Sequence, residues 1–271
     1  MHFIRRGGVS GWKMKVKNSL VESKLYMLDF LGVPRFWTPS SMLKSNFCVH
    51  NDGIRFIAAT AAASLVLMIF SSTLACIGIC LTLFCIFFFR SPKRVVNSDE
   101  NLIVSPADGI ISAITLEEPP QDLNIGSDQR YKVSIFLSLL NVHVNRVPFS
   151  GTVKHILYYP GSFINASFDK SSVLNERNTI VITLHNNPEK TMAFTQIAGM
   201  LARRIICDLH EGQEIKKGTI FGLIRFGSRC DVWLPTGAIP KVIQGQTMTA
   251  GESVISDISD KRKTPPSGKV I

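Results

Sequence analysis

The stretch "GTIFGLIRFGSRCDVWLP", residues 218–235, decides how the C-terminal two thirds of the chain is read. Its β-branched and aromatic residues, among them Ile220, Phe221, Ile224, Val232 and Trp233, suit a pleated, half-buried surface, so both ends predict strands. Between them the pair Gly227-Ser228 breaks the run, with Arg225 and Arg229 close on either side. A glycine inside a strand loses entropy and packs no side chain, so it marks a bulge, a turn or a close approach to the backbone. The local residues alone leave these open. The same texture recurs upstream in "LIVSPADGIISAI", "YKVSIFLSLLNVHVNRV", "GTVKHILYYPG", "NTIVITLHNN" and "TMAFTQIAG". Short β-branched runs separated by Gly, Pro and Asn predict a mainly β domain over residues 102–255, a sandwich or partly open barrel, α+β at most.

The N-terminal third is different. Residues 1–97 hold 12 Lys+Arg and 3 Asp+Glu, a net of +9, whereas residues 98–271 hold 18 and 17. Nucleic acid is one candidate partner for such a basic region, but the segment beside it points to anionic lipid instead. From Phe56 to Phe89 run 34 residues without a charged side chain, bracketed by Arg55 and by Arg90, Lys93 and Arg94. One upright span needs about 20 residues, so the run predicts two helices folded as a hairpin around Ser71 and Ser72. Both basic flanks then lie on one side, and their Lys and Arg excess favours the cytoplasmic side. A secretory signal fits poorly, because the apolar run begins too late and is too long. The predicted layout is a basic extension (1–54), a membrane segment (55–90), a linker (91–101), the β-rich domain (102–255) and a disordered tail (256–271). In the extension, Leu20, Val21, Leu25 and Leu28 share one face of a possible surface helix. The six cysteines, Cys48, Cys76, Cys80, Cys85, Cys207 and Cys230, form no C-x-x-C pair, which fits a reducing compartment and gives no metal-ligand spacing.

Familiar catalytic patterns are absent: no G-x-S-x-G elbow, P-loop, H-E-x-x-H or G-x-G-x-x-G after a strand occurs. What remains is dispersed. Asp108, before Gly109, reads as a turn residue. His143 shares its side of an alternating run with Asn145, while Val142 and Val144 face the other way, so it reads equally as a structural histidine.

Taken together, the segments "SPADG", "NVHVNR-P", "PG-F-NA---DK", "NERN", "QIAG--ARRI-C" and "FGLIRFGSR-DV-LP" resemble the short bacterial form of the phosphatidylserine decarboxylases. The resemblance is collinear from about Phe56 to Gly251. It implies an enzyme that makes a covalent pyruvoyl cofactor from its own Ser228: the hydroxyl attacks the Gly227 carbonyl, and elimination cuts the chain into residues 1–227 and 228–271, which stay together as a heterodimer. The pyruvoyl ketone then takes the substrate amine as a Schiff base and draws electrons from the leaving carboxylate. It further implies a phospholipid substrate at the inner membrane, with His143 as the acid that returns a proton after CO2 leaves, and Asp108 beside it. Longer relatives carry a second histidine where this chain has Arg146, and arginine is no base. Either His143, oriented by Asp108, serves both self-cleavage and decarboxylation, or the serine proton leaves another way. Arg146 then suits substrate phosphate or carboxylate. Two other readings compete: the same chemistry on another serine lipid, such as an ether-linked archaetidylserine, and a non-enzymatic lipoyl- or biotinyl-like domain, whose M-K pair is missing from the β-rich region.

Overall fold

The computed structural model describes residues 48–161, 175–199, 204–225, 228–262 and 264–268. The extension with Leu20, Val21, Leu25 and Leu28 lies outside these residues, as do Gly227 and much of the "PG-F-NA---DK" segment.

Two helices come first, α1 (Asn51–Phe70) and α2 (Ser72–Phe88), with Ser71 in extended backbone between them. The apolar run supplies good helix packing but no charge to anchor a solvent face. Across the pair, Ser64 Oγ lies 3.4 Å from Thr82 Oγ1. A Cβ on Gly78 would sit 2.5 Å from Ser64 Oγ, so this close approach requires glycine. Away from the contact, Leu65, Val66, Phe70, Ile77 and Leu83 are exposed, and Ile69 near the bend is 81% exposed. Such a continuous apolar surface is unstable in water and suited to lipid. Among the described residues one helix, α1, is long and apolar enough to cross a membrane; an 18-residue window of it has a mean hydropathy of 2.0.

The rest is mainly β. The strands are β1 (Leu102–Val104), β2 (Gly109–Glu117), β3 (Arg130–Leu137), β4 (Val144–Arg146), β5 (Gly151–Tyr159), β6 (Arg177–Leu184), β7 (Asn187–Ala198), β8 (Ile205–Cys207), β9 (Glu214–Ile215), β10 (Ile220–Ile224), β11 (Ser228–Trp233), β12 (Thr247–Met248) and β13 (Val254–Asp257). Eight form one sheet in the order β12-β2-β3-β11-β7-β6-β5-β9, curled as a half barrel. A second sheet, β4-β10-β8, and the pair β1-β13 complete the domain. The expected mainly β class with a preceding apolar helical segment is therefore what the chain adopts.

The inner face of the large sheet holds the main core, including Ile135, Leu137, Ile180, Phe194 and Val232. Phe194 of β7 meets Phe221 of β10 edge to face at 5.1 Å, which joins the small sheet to the large one. Strand β11 lies centrally, between β3 and β7, and all six of its residues are buried. Cys230 and Val232 enter the main core, whereas Trp233 packs on the other face with Leu123, Ile125 and Val181. Strand β13 runs to Asp257 and pairs with β1. Lys241 then bonds Asp257 at 2.8 Å and lies 3.5 Å from Asp260, so residues 257–260 are held to the domain.

Candidate active site

Ser228 opens β11, where its Cα partners are Leu137 on one side and Ala198 on the other. It is 0% exposed, and its Oγ makes no hydrogen bond. A buried hydroxyl without a partner costs on the order of 1–3 kcal/mol, so chains rarely keep one without use for it.

His143 precedes β4 and is likewise 0% exposed, with neither ring nitrogen in a hydrogen bond of good geometry. Its backbone carbonyl accepts from Ile224 N at 3.3 Å, at the end of β10 from which the chain leads to Ser228. Two residues on, Asn145 Nδ2 reaches Cys230 Sγ at 3.5 Å. Asn145 follows His143 by two residues, as Cys230 follows Ser228, and two residues in a strand span about 7 Å. His143 is thus bonded to the last residue of β10, and Ser228, four positions further along the chain, is the first residue of β11. The imidazole stacks on the Phe88 ring at 4.0 Å between centroids and 29° between planes. Burial pushes its pKa from 6.5 down to about 4, opposed by the Asn141 backbone and assisted by the positive charge of Arg90. At neutral pH the ring is uncharged, which is the form that accepts a proton.

Asp108 is placed differently from the sequence expectation. Arg94 Nη2 donates to its Oδ2 at 2.6 Å, and Ala250 N donates to its Oδ1 at 2.7 Å. No hydrogen bond joins it to His143, whose ring nitrogens stay unpartnered. A guanidinium within reach is a stronger partner for a carboxylate than a neutral ring. Arg146 spends two of its nitrogens on backbone, donating to the Gly218 and Pro92 carbonyls at 2.8 Å each. Burial lowers its pKa, helped by Arg94, while Asp108 and Glu252 oppose. Asp108 also raises the pKa of Arg90, against a larger effect of burial. Arg90, Arg94 and Arg146 thus all interact with the Asp108 carboxylate, Arg146 also with Glu252, and Arg90 also acts on His143.

Sequence reasoning assigned no role to the amides that hold this arrangement. Asn178 donates to Gln196 at 3.2 Å, Gln196 donates to Asn145 at 2.9 Å, and Asn145 reaches Cys230. The line crosses β6, β7, β4 and β11. Asn175 Nδ2 donates to the carbonyl of Ala198, the strand neighbour of Ser228, at 2.7 Å. The "NERN" and "QIAG" segments thus brace the strand ends around Ser228. Alternation had placed Asn145 on the His143 side, which was the available signal.

A sequence-family model described as phosphatidylserine decarboxylase matches residues 81–256. This chain belongs to the phosphatidylserine decarboxylase family. The phosphatidylserine decarboxylase proenzyme of Rickettsia akari (strain Hartford) is 46% identical over 214 residues, covering 79% of this chain and 92% of that protein. The proenzyme of Cereibacter sphaeroides is 47% identical over 211 residues, covering 78% of this chain and 90% of the relative. Like the rest of its family, the chain is a decarboxylase. Both of these family members are named as proenzymes, and the non-enzymatic carrier-domain alternative falls away.

Proposed function

We propose that the chain cuts itself between Gly227 and Ser228 and then decarboxylates phosphatidylserine to phosphatidylethanolamine and CO2. The observation that supports this reading is a buried hydroxyl at the start of β11 and a buried imidazole, bonded through its backbone carbonyl to the end of β10, neither side chain making a hydrogen bond of good geometry. Neutral His143 takes the Ser228 Oγ proton as Oγ attacks the Gly227 carbonyl. The new C–O bond forms as the Gly227–Ser228 amide bond breaks, giving an ester and a free Ser228 amine. Loss of the Ser228 Cα proton breaks the Cβ–Oγ bond, and Gly227 leaves as a carboxylate. Water then replaces the nitrogen as ammonia, leaving a pyruvoyl group on the chain 228–271. Ser228 fits this origin because its hydroxyl is committed to nothing else.

The pyruvoyl group supplies an electron sink beside the departing carboxylate. The remaining work belongs to the chain's own residues. Arg90, Arg94 and Arg146 provide positive potential for a headgroup that carries phosphate and carboxylate. Arg146 acts through its charge, since backbone carbonyls occupy two of its donors. Asp108 fixes that cluster by holding Arg94. An anionic headgroup beside His143 favours the protonated ring, so substrate binding raises its pKa and readies it to return a proton to the carbon that lost CO2. The α1–α2 hairpin holds the domain in the lipid, with Arg55 and Arg90, Lys93 and Arg94 on its cytoplasmic side at the inner membrane.

The test uses vesicles of phosphatidylserine labelled in the headgroup carboxyl. The wild-type chain is expected to release labelled CO2, and Ser228→Ala to release none. Release by Ser228→Ala would refute the reading, and release only from ether-tailed serine lipids would move it to that substrate.

A further inference from the structure

A catalytic histidine is normally held by a hydrogen bond from its second nitrogen to a carboxylate or carbonyl. His143 has no such bond of good geometry, and the nearby carboxylate of Asp108 is taken by Arg94 and Ala250. What touches the ring is Phe88, the last residue of α2. We propose that Phe88 is the positioning residue of His143, fixing the imidazole plane by ring stacking and shutting water out, so that the lipid-facing hairpin itself completes the site. The proposal rests on His143 being the proton-transfer group of the proposed reaction.

Phe88 is well placed to impose an orientation. It is fully buried, with Phe89 edge-on at 5.0 Å and Phe84 tilted against it at 6.2 Å. Phe89 in turn stacks on Phe56 of α1 at 5.4 Å. This aromatic group packs with Val142, Val144 and Leu223, which flank His143 or lie on the neighbouring strand. Just past the helix the chain is strapped down. Pro92 is bonded by Arg146, Arg94 by Asp108, and Val95 by Glu252 at 2.9 Å. Gly218, at φ +80, leaves room for Val96, whose side chain would lie 2.3 Å from a Cβ there. A ring fixed at both the helix and the strap has little freedom, and it passes that restraint to the imidazole.

The charged groups on the elements around the ring are Arg90 after α2, Arg225 after β10, and Asp52 of α1, which lies 3.9 Å from Arg225. None of them stacks on the imidazole, so removing the Phe88 ring changes hydration and orientation without changing charge.

The test combines histidine NMR titration of the Ser228→Ala chain in nanodiscs, with His143 assigned by His143→Ala, and kinetics of the mature enzyme. Phe88→Leu is expected to move the His143 titration from about 4 up toward 6.5. It is also expected to lower kcat by about 10- to 100-fold while KM changes less than about twofold. Phe88→Trp keeps a ring and is expected to keep both values, which also covers the case in which the leucine variant does not accumulate. Phe84→Leu removes a ring from the same helix without touching the imidazole stack and is expected to keep the titration near 4. Unchanged His143 titration and kcat in Phe88→Leu, or a titration near 6.5 in Phe88→Trp, would overturn the proposal. Full activity of His143→Ala would instead overturn the proton-transfer role, a failure visible in activity alone and separate from the titration.

Discussion

The two faces of β11 treat buried polar groups in opposite ways. On the inner face, Ser228 Oγ is fully enclosed and makes no hydrogen bond, as the enclosed His143 ring makes none of good geometry. On the outer face, Arg229 and Asp231 are each 4% exposed and pair with each other. Nη2 of Arg229 donates to Asp231 Oδ2 at 2.9 Å, while Nε lies 2.8 Å from Oδ1, off the line of a hydrogen bond. A hydrogen-bonded ion pair in the interior holds structure and is costly to break. Buried groups without hydrogen bonds cost stability rather than adding to it. Cys230, between them, is not a rival nucleophile, because burial pushes its thiol far above neutrality.

Substitutions should separate the two faces, and the largest effect is on function. Ser228→Ala is expected to abolish cleavage and CO2 release entirely while leaving thermal stability equal or higher, since it deletes an unpaired hydroxyl. His143→Ala is expected to cost about 10²- to 10⁴-fold in kcat, read in the same CO2 assay. On the outer face, Asp231→Ala should destabilise the fold by about 3–5 kcal/mol in denaturant unfolding, by removing the buried carboxylate that bonds Arg229. If Ser228→Ala proves the more destabilising of the two, the contrast fails.

The next effect is one of pH. The folded His143 titrates near 4 and the unfolded ring near 6.5, so the unfolded chain binds more protons between these values. Stability should therefore be complete above about 6.5 and fall by about 3 kcal/mol as pH drops toward 4. His143→Gln should flatten that slope in unfolding measured across the window. The smallest effect belongs to the surface: Lys241→Ala, at an ion pair with Asp257 and Asp260 that is partly exposed, should cost less than about 1 kcal/mol.

Much of this was legible in the residues. The β-branched runs gave the mainly β class, and an uncharged run of 34 residues gave an apolar helical segment. Ser228 and His143 stood out through their motifs, and alternation put Asn145 beside His143. Contacts far apart in sequence were not legible. Phe88 reads as one more apolar residue until α2 is docked against His143, 55 positions later. Asp108 reads as a partner for His143 because a sequence cannot rank competitors for a carboxylate, and Arg94 wins by charge and proximity. Arg146 reads as a free fork, yet the linker carbonyl of Pro92 and the turn carbonyl of Gly218 take it first.

The most direct test of the central claim is the intact mass of the purified, active protein. The account predicts two chains, residues 1–227 and 228–271, the smaller beginning with a pyruvoyl group and having no terminal amine. An active enzyme that remains a single chain, or whose short fragment begins with an unmodified serine, would contradict it.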